Sequence, residues 1–162
     1  MRRYPCLWFI GGLEGRAAAS DSSVTKTIPS DYAQAREVQR IIRDEVARAG
    51  FDTDSQFAIK LALEEALVNA VKHGNKMAKE KVVKVQYHIT PQRADIAIED
   101  QGCGFNPAEV RDATADENLE MCSGRGILLM RAYMSSVVFN PQGNKVTLSK
   151  FSQGYAPRKT AE

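Results

Sequence analysis

Apolar and polar residues alternate along the chain with two periods, one typical of strands and one of helices. Residues 24–28, 83–89 and 94–98 alternate at period two, which predicts strands with one buried face. Two other stretches carry apolar residues at helical spacing and predict amphipathic helices. The predicted buried positions are Ala35, Val38, Ile42, Val46 and Ala49 in the first helix, and Ile59, Leu63, Ala66 and Ala70 in the second.

Turn and capping residues divide these segments. Pro29-Ser30 predicts a break followed by a helix cap, and Gly50 stands where a left-handed residue typically ends a helix. Asp54-Ser55 predicts the cap of the second helix, and Gly74 predicts its end. Each helix therefore has a start signal and a stop signal in the sequence.

The C-terminal half begins with a polar, irregular stretch, residues 106–123, which we predict to be a lid because long connections inside compact domains are usually functional or disordered. A short apolar helix is predicted at 127–134, followed by strands at 136–139 and 145–151. Helix stripes need the apolar face of a sheet to cover them. The fold class predicted is therefore α/β (α+β), a two-layer sandwich with a mainly antiparallel sheet covered by helices.

Length and charge limit the classes of function. The 162 residues suit one domain, predicted at 23–153, with a disordered or mis-assigned leader at 1–22 and a flexible tail at 154–162. Twenty-two basic and 20 acidic residues leave almost no net field, so direct binding to nucleic acid or to a membrane is not expected. Three cysteines without paired spacing indicate neither a disulfide framework nor a zinc site, which fits a reducing cytoplasm.

A strip of polar residues lies beside the buried stripe of the second helix. Glu65, Asn69 and Lys72 are four and three residues apart and so line up on one face, with His73 at its edge. A carboxylate, an amide oxygen and a cation together suit activation of a hydroxyl, binding of a hard metal ion and contact with a phosphate. The alternative is an ordinary solvated helix face.

Asp100 follows the third predicted strand in phase with its buried residues, which would direct the carboxylate into the apolar face. A buried charge is costly without a partner. The functional interpretation is that Asp100 accepts a hydrogen bond from a ligand amino group, while Gly102 and Gly104 let an aromatic ring approach the backbone. The alternative is a simple turn residue, and Cys103 is expected to be a small buried thiol.

Gly124-Arg125-Gly126 precedes the short apolar helix, where backbone amides and the helix dipole favour anions. This arrangement predicts a phosphate cradle, and an ordinary turn is the alternative. The three motifs occur in a fixed order along the chain. They read Glu65-Ala66-Leu67-Val68-Asn69-Ala70-Val71-Lys72-His73-Gly74, Asp100-Gln101-Gly102-Cys103-Gly104-Phe105 and Gly124-Arg125-Gly126-Ile127.

These motifs resemble the three boxes of the GHKL ATPases, and most closely those of bacterial anti-sigma-factor serine/threonine kinases, over residues 24–151. The resemblance implies a Bergerat-type ATP-binding fold. It implies that Glu65 is the general base, that Asn69 binds magnesium and that Asp100 reads adenine. The other ATP-binding positions it implies are Lys72, His73, Gly102, Gly104, Gly124, Arg125, Gly126 and Asn144. Asn144 departs from the family pattern, which often has threonine there.

The resemblance also implies a function. The chain would use Mg-ATP to phosphorylate a serine of an anti-anti-sigma antagonist protein and, in another state, would sequester a sigma factor; a homodimer in the cytoplasm is expected. The alternative is a nucleotide-gated binding module without transferase activity. A histidine-kinase catalytic domain is disfavoured, because His73 and His88 are the only histidines and no long dimerising helix carries either.

Overall fold

A computed structural model describes residues 23–106 and 124–155 of the chain. In these parts it contains three α-helices, five strands and one wide turn of π-helix that continues the second helix directly; we call this the π-turn. In chain order the elements are β1 (Val24–Pro29), α1 (Tyr32–Arg48), α2 (Thr53–Val68), the π-turn (Asn69–Gly74), β2 (Val82–Ile89), β3 (Arg93–Glu99), α3 (Gly124–Tyr133), β4 (Ser136–Phe139) and β5 (Lys145–Phe151).

The five strands form one sheet in the order β1-β2-β3-β5-β4, and every neighbouring pair is antiparallel. Ile98 in β3 lies opposite Val85 on one side and Val146 on the other, so apolar residues form rows across the sheet. The predicted antiparallel sheet is confirmed, and the last two strands have the predicted bounds.

The helices cover one face of this sheet and enclose a single core, which confirms the two-layer α/β fold. Every predicted stripe residue of the two long helices is buried except Ala49, which is partly buried at the end of α1. The alternating strand positions are likewise buried: Val83, Val85, Tyr87, Ile89, Ala94, Ile96 and Ile98.

The helix starts differ from the predicted ones by one to three residues. Asp31, not Ser30, caps α1, since its carboxylate accepts the amides of Ala33 and Gln34 at 2.7 and 3.2 Å. Asp52, not the Asp54-Ser55 pair, caps α2 and accepts the Ser55 amide at 2.9 Å. At both helix starts several good capping residues are close together in the sequence. The N-cap is the one whose backbone is extended just before the first turn.

Three predicted segments lie mostly outside the described residues. These are the leader at 1–22, the lid at 106–123, of which Asn106 is described, and the tail at 154–162, of which residues 154 and 155 are described. Across the described ranges, none of the helices has both the length and the apolar character that crossing a bilayer demands.

A hydrogen bond joins the sheet to α1. The Tyr87 hydroxyl in β2 donates to Glu45 Oε1 in α1 at 3.0 Å, although the Tyr87 side chain is otherwise surrounded by the core. Burial first, and then the Glu45 carboxylate, raise the pKa of Tyr87 from 10.0 to about 12. The neutral phenol is therefore the form that the fold favours.

We expect Tyr87→Phe to lower the free energy of unfolding by about 1 kcal/mol at pH 8, because Glu45 loses its donor. The raised pKa also makes stability pH-dependent. Tyr87 contributes fully below pH 10, and its contribution is lost as the pH rises toward about 12. Urea unfolding at pH 8 and pH 11 should show a larger loss for the wild type than for the variant. Tyr155→Phe, at an exposed tyrosine, is the control; equal losses in the wild type and Tyr87→Phe would contradict the assignment.

Candidate functional site

The last turns of α2 carry the first group of site residues. Glu65 and Asn69 are one turn apart and both partly buried, next to the buried Ala66 and Ala70. The helix remains α-helical through Val68, so the predicted alignment of Glu65 with Asn69 is present. A carboxylate and an amide therefore stand together at the border of the core.

The N-terminus of α3 packs against this pair. A Cβ atom added at Gly126 would lie 2.6 Å from Glu65 Oε2 and 3.6 Å from Asn69 Nδ2, so only glycine fits there without displacing Glu65. The Gly-Arg-Gly run forms the first turn of α3 rather than preceding it, because the helix begins at Gly124. Gly126 is buried and the Arg125 side chain is exposed. The positive end of the α3 dipole thus adjoins Glu65 and Asn69.

Asp100 lies directly after β3, at the far end of the same helical segment. Its carboxylate accepts the Gly102 amide at 2.7 Å and is half-buried. Burial raises the pKa of Asp100 above its usual value; the Gly102 hydrogen bond and the charge of Lys81 oppose that rise. The strand has ended at Glu99, as the turn alternative required, and yet the carboxylate is partly withdrawn from water.

Gly74 faces that carboxylate. A Cβ atom at Gly74 would overlap Asp100 Cγ and both carboxylate oxygens, and one at Gly102 would overlap the carbonyl of Gly74. Gly74 ends the helical segment, as predicted, since the π-turn runs to this residue, but its backbone is not left-handed. The left-handed residues are Lys76 and Met77, with φ of 54° and 60°, because the chain first completes the π-turn and then reverses. Gly74 is needed for space instead.

The loop after Asp100 packs on the turn between β4 and β5. Gly104 and Gly143 both have positive φ, 73° and 74°, and a Cβ on either would overlap the other loop's backbone. Asn144 holds the peptide groups around Asp100: its side-chain amide donates to the Asp100 carbonyl at 3.1 Å, and its own carbonyl accepts the Asp100 amide at 2.9 Å. Asn144 therefore lies beside Asp100.

The remaining predicted residues occupy the rim. Lys72 and His73 are exposed on the π-turn. Cys103 is exposed, so the expectation of a buried thiol is wrong; it lies in a surface loop in which Gln101 and Phe105 are exposed as well. No cluster of three or more His, Cys, Asp or Glu side chains suited to a metal ion occurs within residues 23–106 and 124–155.

Three residues at the site were missed from the sequence: Asn75, Lys81 and Gln101. Asn75 is completely buried and hydrogen-bonded to the Gln101 amide at 2.8 Å. An asparagine just after a helix-ending glycine is usually a surface turn residue, so the local pattern did not distinguish it. The charge of Lys81 lowers the pKa of Asp100, and only the folded geometry shows that the two residues are near each other.

A model of the histidine kinase-like ATPase domain matches residues 28–150, most of the chain. The chain belongs to this family. The matched range contains the Glu65–Asn69 pair, the Asp100 loop and the N-terminus of α3, so the site just described lies within the family's domain.

Individual relatives carry two kinds of name. The chain is 29% identical over 112 residues to the serine-protein kinase RsbW of Listeria innocua, covering 65% of this chain and 71% of the relative. It is 36% identical over 92 residues to the anti-sigma F factor of Clostridium perfringens, covering 55% and 65%. The serine-protein kinase RsbW of Bacillus subtilis is 28% identical over 115 residues, which cover 67% and 72%.

A solved structure has a similar fold. The crystal structure of the RsbU and RsbW domains of a Mycobacterium tuberculosis protein matches with a TM-score of 0.54 and 19% identity, over 82% of this chain and 33% of that one. The present chain thus spans about a third of that solved protein. The likeness shows that the two proteins share the arrangement of the sheet and helices.

The Gly74–Asp100 contact yields a prediction. Gly74→Ala should destabilise the fold by about 1–3 kcal/mol, because the new methyl group overlaps the carboxylate, although alanine is ordinarily the better helix residue. Denaturant unfolding measures the loss. Asp100→Ala removes the overlapping atoms, so the double variant should recover most of the stability. Simple additivity of the two single changes would show that Gly74 and Asp100 are not in contact.

Proposed function

We propose that this chain is an ATP-dependent serine/threonine protein kinase and an anti-sigma regulatory factor. In this role it phosphorylates a serine of an anti-anti-sigma antagonist and, in another state, sequesters a sigma factor. The names of the RsbW and anti-sigma F relatives support the partner classes. The observation that carries the chemistry is that one helical segment bears Glu65 and Asn69 at one end and faces Asp100 at the other.

The dimensions of this segment suit a nucleoside triphosphate. Gly74 is the ninth residue after Glu65, which corresponds to at most about 13.5 Å along a helix at the α-helical rise of 1.5 Å per residue. An extended ATP molecule has a comparable distance between its adenine amino group and its γ-phosphate. Adenine would then lie at the Asp100 end and the phosphates at the α3 end.

At the adenine end, the half-buried Asp100 carboxylate is an acceptor suited to the adenine amino group. Gly74 and Gly102 pack tightly against this carboxylate, and a Cβ at either would collide with it. A flat ring can approach the backbone because neither glycine carries a side chain. Asn144 would support the same end through its hold on the Asp100 peptide groups.

At the phosphate end, the N-terminus of α3 offers backbone amides and a favourable dipole, with Arg125 in its first turn. Lys72 and His73, exposed on the π-turn, are proposed to reach phosphate oxygens. The Asn69 side-chain oxygen suits Mg²⁺, which typically takes few protein ligands together with substrate phosphates. When bound, the metal ion neutralises charge on those phosphates.

Glu65 is proposed to act as general base. Its carboxylate would accept the proton of the substrate serine while the serine oxygen forms a bond to the γ-phosphorus. The bond from that phosphorus to the β–γ bridging oxygen breaks, and ADP leaves with the electron pair. The proton on Glu65 then passes to solvent. The partly buried position of Glu65 beside Gly126 limits water around the carboxylate.

The second candidate function is a nucleotide-gated binding module that transfers nothing. It shares the adenine and phosphate ends and differs only in whether Glu65 acts on a substrate hydroxyl. A homodimer in the cytoplasm belongs to the same proposal, as does the absence of nucleic-acid and membrane partners.

Asp100→Asn should lower ATP affinity about ten- to hundredfold, because an amide presents donors to the adenine amino group. The melting temperature should stay equal or rise. Because the pKa of Asp100 is raised, its ionised carboxylate destabilises the fold. The contribution of Asp100 to stability is fully present below its ordinary pKa and is lost as the pH rises through the raised pKa. Calorimetry and thermal melts, with Asp54→Asn as an exposed control, measure both. Unchanged ATP affinity would make Asp100 a turn residue.

Glu65→Gln should retain ATP and the antagonist but phosphorylate the serine about a hundredfold to ten-thousandfold more slowly. Single-turnover transfer from labelled ATP to the purified antagonist measures the rate. Glu64→Gln is the matched control, since this substitution makes the same chemical change at an exposed position of α2. Asn69→Ala should instead lose magnesium-dependent ATP binding itself. A wild-type rate in Glu65→Gln would exclude Glu65 as the base; tight ATP and antagonist binding by the wild type without transfer would favour the binding module.

A further inference from the structure

Asn75 is the residue after Gly74, and its side chain is completely buried. Its amide group uses both ends: Oδ1 accepts the Gln101 backbone amide at 2.8 Å, and Nδ2 donates to the Val82 carbonyl at 3.0 Å. Gln101 closes a ring of bonds, since its Oε1 accepts the Val82 amide at 2.8 Å. Three segments, the π-turn, β2 and the Asp100 loop, therefore meet on one side chain.

The backbone of Asn75 is held equally firmly. Its amide donates to the Ala70 carbonyl at 2.8 Å, the five-residue spacing that closes the π-turn, and its carbonyl accepts the Ala78 amide at 3.1 Å. The π-turn thus determines the position along the helix axis from which the Asn75 side chain projects. A buried amide that is bonded at both Oδ1 and Nδ2 has one favoured orientation, because a flip leaves the Gln101 amide and the Val82 carbonyl without these partners.

The neighbours of the bonded pair are Gly74 and Asp100, at the end of the helix where adenine is proposed to bind. Gly74 precedes Asn75, and Asp100 precedes Gln101, so the hydrogen bond from the Gln101 amide to Asn75 brings the Gly74 backbone against the Asp100 carboxylate. On the other side Asn144 holds the Asp100 peptide groups. Asp100 is consequently fixed from the sheet by Asn144 and from the helix by Asn75.

We propose that Asn75 is a positioning residue for base recognition, which sets the distance between the Asp100 carboxylate and the end of the helix. This inference rests on the proposed role of Asp100 toward adenine. Without Asn75 the Asp100 loop moves relative to Gly74, and the carboxylate no longer meets the amino group of the base. Phosphate contacts at the α3 end are unaffected, because the hydrogen bonds of Asn75 described above reach Ala70, Ala78, Val82 and Gln101 and none of the α3 residues.

The test compares ATP with inosine triphosphate, which has the same phosphates and lacks the 6-amino group. Titration calorimetry with Mg²⁺ gives both dissociation constants, and their ratio isolates the base. In Asn75→Leu, similar in size but unable to hydrogen-bond, we expect the wild-type preference for ATP to fall at least about tenfold, toward that of Asp100→Asn. Asn75→Ser, smaller and still polar, is the second variant in case Asn75→Leu does not fold.

Ser149→Ala is the control for lost stability alone. Ser149 is also buried and polar, and its hydroxyl donates to Asp95 within the sheet, away from the Asp100 loop. It should lower the melting temperature and leave the nucleotide ratio unchanged. If the Asn75 variants also keep the wild-type ratio, Asn75 is purely structural and the inference is wrong. If the wild type itself shows no preference for ATP, the role of Asp100 fails, and the positioning role fails with it.

Discussion

The close contact between the end of the second helix and the loop after β3 is the constraint on which the site depends. At this contact the Asp100 carboxylate lies against the backbone of Gly74, with no room for a single additional carbon atom. Gly102 closes the same contact from the other side, where its amide donates to the carboxylate. Helix and sheet can pack this closely only because two glycines and one buried asparagine meet there.

Much of the fold could be predicted from the sequence, because burial imposes a period on each element. The stripe through Ile42 and Val46 and the alternation through Val83 and Val85 each determine one face, and the structure buries both. Helix ends were predicted less well. Ser30 and Asp31 are both good caps, and the choice of Asp31 depends on where the backbone becomes extended, which a local pattern does not record.

The features of the site likewise fall into those that one element determines and those that depend on packing between elements. The predicted juxtaposition of Glu65 and Asn69 follows from helix geometry alone and is present. The partners of those residues depend on tertiary packing: the approach of Gly126 to Glu65 joins elements about 60 residues apart. Asn75 was missed for the same reason, since its burial results from the π-turn, β2 and the Asp100 loop together. Spacing predicts what lies on one element; packing decides what faces it.

The separation of the two ends has a consequence for the choice between kinase and binding module. Asp100 and the hydrogen bonds of the Asn75 side chain lie at the end of the π-turn, whereas Glu65 lies about two turns earlier, beside the N-terminus of α3. The proposed base recognition and the proposed proton transfer would therefore depend on different atoms held by different contacts. A chain could lose the Glu65 carboxylate and keep every contact around Asp100. Retention of nucleotide binding is thus no evidence for phosphoryl transfer, and the distinction between the two functions depends on one carboxylate next to one glycine.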